Sequence, residues 1–409
     1  MTYSVSPSGE ISANPAKDDF LEKLLGQYPE YFDHILKNRD SFKVQIIYTQ
    51  IDREANNRPK FKDHYFNLHA GHYFYPASTV KMPIALLALQ RLNELKEKGI
   101  DRSSSMITES AYSGQTSVYN DPTTADGRPT IEHYIKKIFL VSDNDAYNRL
   151  YEFLGQQYIN EELRKKGYKE AEIIHRLDIA LSEDENRHTN PVAFFDIKGK
   201  KLYEEPMKFN EQPHFKRREL LGNSHYSAGV LKNEPLSFSK KNRISLESLH
   251  GILKSIVFPE SVPAKQRFNI STNDYRLVWQ YMSQLPGETR FPPYDTATYY
   301  DTYCKFLMYG SEKEAKIPAS IRVFNKVGDA YGFLLDVAYI ADFEKKIEFM
   351  LSAVIYCNGD GILNDDQYDY ETVGFPFMKQ LGRAVYNHEL QRKRTNLPDL
   401  STLQINYEK

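Results

Sequence analysis

Apolar residues alternate with polar ones in two groups of short stretches, one near each end of the chain. Residues 43–52 and 64–75 predict two strands, and the charged loop between them, which contains Pro and Asn, suits a hairpin. Three later runs predict consecutive strands joined by short turns, at 320–327, 333–341 and 346–357. The pattern therefore predicts a sheet whose strands come from both ends of the chain.

Helical spacing of apolar residues covers most of the remainder. It predicts a helix over 18–37, a long helix from about Thr79 to Lys98 that ends at Gly99, and a closing helix over 370–391. The middle, about 100–310, is mainly helical, with later helices at 245–257, 273–285 and 297–308. We predict an α+β fold in which an antiparallel sheet of N- and C-terminal strands is flanked by helices and carries a mostly α-helical inserted subdomain.

The same pattern predicts one domain between two polar tails. The lysine-rich segment at about 196–240 has too few apolar residues for a core of its own, so we interpret it as a surface insertion. The predicted boundaries are a tail at 1–17, a domain at 18–392 and a tail at 393–409, with an α/β part at 18–75 and 320–392 and a helical part at 76–319.

Charge and composition exclude several function classes. A net charge of −2 gives no basic surplus for nucleic acids or anionic membranes. The first residues lack the basic start and apolar stretch of a signal peptide, and the apolar run 84–89 is too short to cross a bilayer. We therefore expect a soluble protein that has no membrane span and does not bind nucleic acid, and we expect it to be a monomer.

Cysteine and histidine usage gives no sign of a metal site. Two cysteines, Cys304 and Cys357, exclude a disulfide framework, and we expect free thiols that pack as small hydrophobes, with a single bridge left open. The histidines between 64 and 72 fall in a strand-like segment, so we interpret them as strand and loop residues.

The first motif that carries chemistry is Ser78-Thr79-Val80-Lys81, which precedes the apolar helix MPIALLALQRL. Ser and Lys three positions apart lie on one helix face, and lysine can act as the base that serine needs if burial or a neighbouring cation lowers its pKa. The backbone N–H of Ser78 at the helix start is free to bind an oxyanion. The alternative is a helix N-cap, and the same pattern recurs at 237–240 in a polar stretch.

Two further motifs lie downstream. Ser142-Asp143-Asn144 stands between apolar runs and places hydroxyl and amide groups at a helix start, although a capping cluster has the same pattern. Lys326-Val327-Gly328 ends a strand, where a lysine beside a glycine predicts a cation facing a cleft with backbone close to a ligand. Its alternative is a strand-end lysine that reaches solvent.

Together, in the order Ser-x-x-Lys, Ser-Asp-Asn, Lys-x-Gly, the three motifs resemble those of class A β-lactamases and penicillin-binding proteins. KVGDAYGFLLDVAYI looks like the family's strand pair, and IIHRLDIALSEDENRHTNP resembles its omega-loop segment, so the resemblance covers roughly 18–392. It implies a β-lactamase/transpeptidase-like fold, a serine acyl hydrolase that turns over β-lactams without metal or organic cofactor, a role in antibiotic resistance, and a periplasmic or cell-surface location.

The resemblance also implies catalytic roles. Ser78 would attack the substrate carbonyl and become acylated, and Lys81 would accept its proton directly or through water. Ser142 would relay a proton toward the leaving nitrogen, assisted by Lys326.

Substrate binding follows from the same resemblance. Asn144 would bind a substrate amide and orient the motif lysine, and the oxyanion would lie between the backbone N–H groups of Ser78 and Asp329, the residue after Gly328. The family has Thr or Ser where this chain has Val327, which removes a hydroxyl for a substrate carboxylate.

The deacylating glutamate of class A enzymes has no clear counterpart. After Arg176-Leu177-Asp178 the omega-like loop runs only to Pro191, so Glu183 or Glu185 would have to substitute, and a solvated acidic loop is the alternative for both. Two rival functions therefore stay open: a D,D-peptidase or esterase on a cell-wall peptide or other acyl substrate, and a binding or sensor module that does not turn over β-lactams.

Overall fold

A computed structural model of the chain describes residues 19–69 and 71–407, so the predicted tail at 1–17 lies outside the described residues. The strands are β1 Gln45–Arg53, β2 Pro59–Phe66, β3 Ser105–Thr108, β4 Val192–Phe195, β5 Lys201–Glu205, β6 Leu220–Leu221, β7 Ser224–Ser227, β8 Val230–Lys232, β9 Leu236–Ser237, β10 Ile321–Ala330, β11 Phe333–Asp342, β12 Ile347–Tyr356 and β13 Ile362–Leu363. The helices are α1 Phe20–Leu25, α2 Pro29–Lys37, α3 Lys81–Glu94, α4 Ile131–Val141, α5 Asn144–Leu154, α6 Gln156–Lys165, α7 Glu183–Arg187, α8 Leu246–Val257, α9 Thr272–Ser283 and α10 Phe375–Gln391.

The central sheet has five antiparallel strands in the order β10-β11-β12-β1-β2. The two ends of the chain meet where β1 pairs with β12, with Gln45 opposite Val354. All ten positions of β11 are buried, so both faces of the sheet are covered. The predicted fold class, an antiparallel sheet from both chain ends flanked by helices, is confirmed.

Two apolar clusters cover the two sheet faces, because successive strand side chains point to opposite sides. Ile46 packs into the cluster formed with α1, α2 and α10, and the adjacent Ile47 packs into the larger cluster formed with the helical part. In the helical part, α3 packs against α4 and α5, and α9 reaches β10. No helix in the described ranges 19–69 and 71–407 is long and apolar enough to span a membrane.

The second predicted strand was wrong in its bounds. β2 occupies Pro59–Phe66 instead of 64–75 and is an edge strand of the sheet. Lys60 and Lys62 point to solvent at alternate positions of β2. Charges of this kind prevent an edge strand from pairing with other chains, but they also make its sequence look like that of a loop. The strand ends at Asn67, whose φ of 48° leaves the extended region.

The helix predicted at 297–308 was also wrong, since this segment consists of turns. Residues 304–309 are consecutively buried, whereas a helix on a surface buries only one face. They cross one apolar cluster beneath the sheet, and Met308 adopts a left-handed φ of 71°. Cys304 and Cys357 are both buried and free, as expected.

The segment at 196–240 contains five short strands, β5 to β9. Leu221 and Phe238 pack into the large shared cluster, and β7 pairs in parallel with β13. The C-terminal segment differs from the predicted polar tail. Leu400 and Leu403 are buried on one side of a short 3-10 turn, which anchors the segment to the domain.

Candidate active site

Ser78 lies on a 3-10 turn, Ala77–Val80, that leads directly into α3. Its side chain is half-buried and faces a cleft, while α3 behind it is buried on nearly every side. Ala77 has a left-handed φ of 46°, a conformation that is costly for a residue with a side chain. Backbone strain of this kind concentrates at functional sites, and here it turns Ser78 toward the cleft.

Lys81 is completely buried beneath Ser78, one turn further along the chain. Its Nζ lies 2.9 Å from Ser78 Oγ and 2.6 Å from Asn144 Oδ1. It also lies 3.2 Å from Ser142 Oγ and contacts the Ser142 carbonyl oxygen. These contacts place the amine of the Ser-x-x-Lys motif between Ser142 and Asn144 of the Ser-Asp-Asn motif.

Burial lowers the pKa of Lys81 well below its ordinary value, and the neighbouring Lys326 ammonium lowers it further. Burial also lowers the pKa of Lys326, to about 8, against the raising effect of Cys304 and Asp329. A lysine whose neutral form is accessible has a lone pair for a proton. The lowered pKa favours the neutral form of Lys81, which is the form that could accept a proton from Ser78.

Ser142 connects the two lysines. Its Oγ lies 2.8 Å from Lys326 Nζ and 3.2 Å from Lys81 Nζ. It ends α4 in a left-handed conformation with φ 60°, and Asp143 then caps α5 by accepting the backbone N–H of Ala146. The capping interpretation thus applies to Asp143, while Ser142 directs its hydroxyl to the two lysines.

Gly328 allows β10 to approach the turn that carries Ser78. A Cβ at this position would lie 2.9 Å from Pro76 O, 3.0 Å from Ser78 N and 3.1 Å from Thr79 N, all backbone atoms. The close approach brings the Lys-x-Gly motif against the nucleophile. Val327, between Lys326 and Gly328, is buried in the cluster on the far side of the sheet.

The cleft above Ser78 has a volume of about 570 Å³. It is lined by Tyr75, Ala77, Ser78, Asn144, Leu177, Asp178, Asp329, Ala330, Tyr331, Asn364, Asp366, Tyr368 and Tyr370. Seven catalytic and substrate-binding residues were predicted. The structure places six of them at or directly beneath one cleft, and the seventh, Gly328, forms the contact behind it.

The two glutamates that were predicted to deacylate lie elsewhere. Glu183 pairs with Lys240 at 2.7 Å and with Arg187, and Glu185 closes a capping box with Ser182. Neither lines the cleft, because both belong to α7 and their carboxylates are engaged in these ion pairs and in the capping box.

Asp178 is the omega-like loop residue that does reach the cleft. Its Oδ2 lies 3.4 Å from Asn144 Nδ2, and its φ of 55° is left-handed. The loop is anchored just before it, since the buried Arg176 pairs with Glu152 at 2.9 Å and the backbone of Leu177 bonds in both directions with Asn148.

Sequence reasoning missed Asp178 and the four cleft tyrosines. Asp178 was visible as an acid between Leu177 and Ile179, two positions after an arginine, and this flanking was its one available signal. Tyr331 and Tyr368 come from a turn and a loop, and Tyr370 begins a one-turn π-helix before α10, so no periodic spacing marks these side chains as facing a cleft.

Comparison with known proteins points in one direction. A family model described as the beta-lactamase enzyme family matches residues 30–210, so this part of the chain is similar to that family, which supports a hydrolase. No curated protein matches the chain.

Solved structures also match, at low identity. A β-lactamase from Xanthomonas campestris pv. campestris is 10% identical, with a TM-score of 0.49 over 89% of this chain and 98% of its own. A class A β-lactamase reconstructed as the last common ancestor of Gram-negative bacteria is 14% identical, with a TM-score of 0.47 over 90% and 99%. A halotolerant bacterial β-lactamase is 15% identical, with a TM-score of 0.46 over 86% and 98%.

Proposed function

We propose that this protein is a serine acyl hydrolase that forms an acyl-enzyme on Ser78. The observation that carries the proposal is the fully buried Lys81, whose Nζ lies 2.9 Å from Ser78 Oγ. Burying an amine is costly, and a hydrophobic residue would fill the space at lower cost. Its position beside a cleft-facing hydroxyl is what a nucleophile and its base require.

Acylation proceeds by addition and elimination. Ser78 Oγ attacks the substrate carbonyl carbon while its proton passes to neutral Lys81. The oxyanion is held by the backbone N–H groups of Ser78 and Asp329, each contributing roughly 3–4 kcal/mol in the transition state. The C–N or C–O bond then breaks, the leaving atom takes a proton through Ser142, and Lys326 stabilises the charge that passes through this hydroxyl. The product is an ester on Ser78.

For deacylation, we assign the role of general base to Asp178 in place of Glu183 or Glu185. The Asp178 carboxylate faces the cleft and shares Asn144 with Lys81. It takes a proton from water as the water oxygen adds to the ester carbonyl. Breaking the ester bond returns the hydrogen to Ser78 and releases the acid.

β-Lactam amide hydrolysis is the first activity to test, and the family match over residues 30–210 supports it. The D,D-peptidase or esterase alternative and the non-turnover alternative differ from it in how fast the acyl-enzyme decays. The chain also supplies an internal control, because Ser237 begins a second Ser-x-x-Lys in a short exposed strand away from the cleft.

The experiment is intact-protein mass spectrometry after mixing with benzylpenicillin. We expect a mass gain of one penicillin in the wild type and in Ser237→Ala, none in Ser78→Ala, and a longer-lived adduct in Asp178→Asn. Decay within seconds identifies a lactamase, and persistence for hours identifies a peptidase or sensor. An adduct that survives in Ser78→Ala would refute the assignment, as would the absence of any adduct with both benzylpenicillin and a p-nitrophenyl ester.

A further inference from the structure

The charged side chains that line the cleft beside Ser78 are all carboxylates. Three carboxylates, Asp178, Asp329 and Asp366, line the cleft, and no lysine, arginine or histidine of the described chain is among the lining residues. Within the part of the chain that the structure describes, Asp329 and Asp366 form no ion pair, and Asp178 is bonded only to the neutral amide of Asn144. These carboxylates are therefore available to a ligand.

The two catalytic ammonium groups do not cancel this charge at the surface. Lys81 and Lys326 lie buried below the cleft floor, and their Nζ atoms are directed to Ser142. Burial lowers the pKa of both groups. Their field acts on the reacting carbonyl beside Ser78 and also on Asp329, whose pKa is raised by burial and lowered by both lysines. The uncompensated negative charge of the walls therefore comes mainly from Asp178 and Asp366.

Aromatic rings complete the walls. Tyr75 and Tyr331 meet edge to face with ring centroids 5.1 Å apart, and Tyr368 and Tyr370 are 5.5 Å apart. Tyrosine faces attract ammonium and guanidinium groups. The protein itself uses this property, since Lys241 Nζ lies 5.5 Å from the Tyr331 ring centroid.

A substrate carboxylate meets the opposite conditions. Val327 is buried on the far side of the sheet, so β10 offers no hydroxyl at that position. One ammonium, Lys241, does reach the rim and donates to Tyr331 Oη at 3.3 Å, which makes it the residue to test as an alternative anion anchor.

We infer that the site prefers acyl donors bearing a positively charged amine or guanidinium to donors of the same length that bear a carboxylate, without excluding the latter. The inference rests on the proposed function, because it concerns the substrate of the same cleft. At an effective dielectric constant of about 20, attraction between one aspartate and a ligand cation raises the affinity for that ligand by about tenfold or more, even after partial screening by salt.

The test compares three p-nitrophenyl esters with six-carbon acyl chains: hexanoyl, 6-aminohexanoyl and adipoyl. Each kcat/KM is divided by the rate of the same ester with hydroxide. We expect the amino ester to exceed the neutral ester by about tenfold and the adipoyl ester to fall below it. Asp366→Asn and Asp329→Asn should each reduce the amino-to-neutral ratio severalfold. The matched control, Asp365→Asn in the same loop but outside the cleft lining, should retain the ratio.

Failure of this inference is separable from failure of the proposed function. If Ser78 is acylated but the adipoyl ester is preferred, and Lys241→Gln abolishes that preference, the charge inference is overturned while the hydrolase stands. If no ester acylates Ser78, the proposed function fails. In that case the charge inference is tested separately, by measuring the binding of hexylamine and of hexanoate to Ser78→Ala in NMR titrations. Tighter binding of the amine supports the inference, and equal or weaker binding of the amine overturns it.

Discussion

Gly328 holds β10 against the turn of Ser78, and Gly328→Ala tests how closely the two must approach. The added Cβ would meet three backbone atoms at 2.9, 3.0 and 3.1 Å, whereas ordinary contact begins at 3.4 Å. Backbone atoms cannot rotate away, so the strand and the turn must separate by about 0.5 Å, and overpacking of this kind costs about 1–3 kcal/mol.

The separation acts on the proposed oxyanion site, which lies between these same two segments. Losing one oxyanion donor slows acyl transfer about 10²–10³-fold, and small displacements of reacting groups are similarly costly. We expect Gly328→Ala to slow acylation of Ser78 by about 10²-fold, measured by quenched-flow mass spectrometry, and to lower the thermal midpoint by a few degrees.

The matched control is Gly251→Ala in α8, where the nearest atom to the new Cβ is Tyr168 Cε1 at 3.6 Å. This contact is ordinary, and alanine is the better helix former by about 0.5–1 kcal/mol, so activity should be retained and stability should rise slightly. If folded Gly328→Ala is acylated at the wild-type rate, the close approach of β10 is not needed for catalysis and the geometric argument fails.

Three further predictions follow from buried charges. Lys326→Met removes the cation that lowers the pKa of Lys81, so the acid limb of the acylation pH profile should move to higher pH. Arg176→Ala removes one of the two buried guanidinium partners of Glu152 and leaves Arg149 as the other, so it should cost about 3 kcal/mol in urea unfolding. Burial raises the pKa of Asp336 from 3.8 to about 6, so its contribution to stability is full below pH 3.8 and is lost as the pH rises through 6; Asp336→Asn should flatten that slope in unfolding titrations.

Each of these has a control on the surface. Lys345→Met should leave the acylation profile in place, because this ammonium is exposed and pairs only with Glu344. Arg39→Ala breaks an exposed pair and should cost about 1 kcal/mol or less. Asp33→Asn breaks an exposed pair with Lys37 and should change the free energy of unfolding by about 1 kcal/mol or less. Variants in the buried positions that behave like these controls would contradict the role assigned to burial.

The contact between two motif residues could be predicted directly when they are close in sequence. Ser78 and Lys81 are three positions apart, and helical geometry alone brings them within reach. The contact between Ser142 and Lys326 joins positions 184 apart, so it depended on the order of motifs and on the two-ended sheet. Both were available from spacing, strand patterning and family resemblance.

The elements that escaped prediction share a physical reason. β2 displays lysines because an edge strand faces water, and the segment 304–309 is buried without helical periodicity because it crosses the core. Asp178 stands in a loop with a left-handed φ, where side-chain direction is decided by tertiary contacts of Arg176 and Asn148. Periodicity reports burial within regular elements and carries no information about such positions.

The two-ended sheet also determines when the protein can first act during its synthesis. Arg53 at the end of β1 bonds Glu348 in β12, 295 positions later, so the first strand waits for its partner through most of translation. Contacts of such sequence separation fold slowly, because a long loop must close before they form. A nascent chain already contains Ser78, Lys81 and Ser142 but has no strand to press against the nucleophile. The proposed reactivity toward acyl donors is therefore expected only after the last third of the chain has left the ribosome.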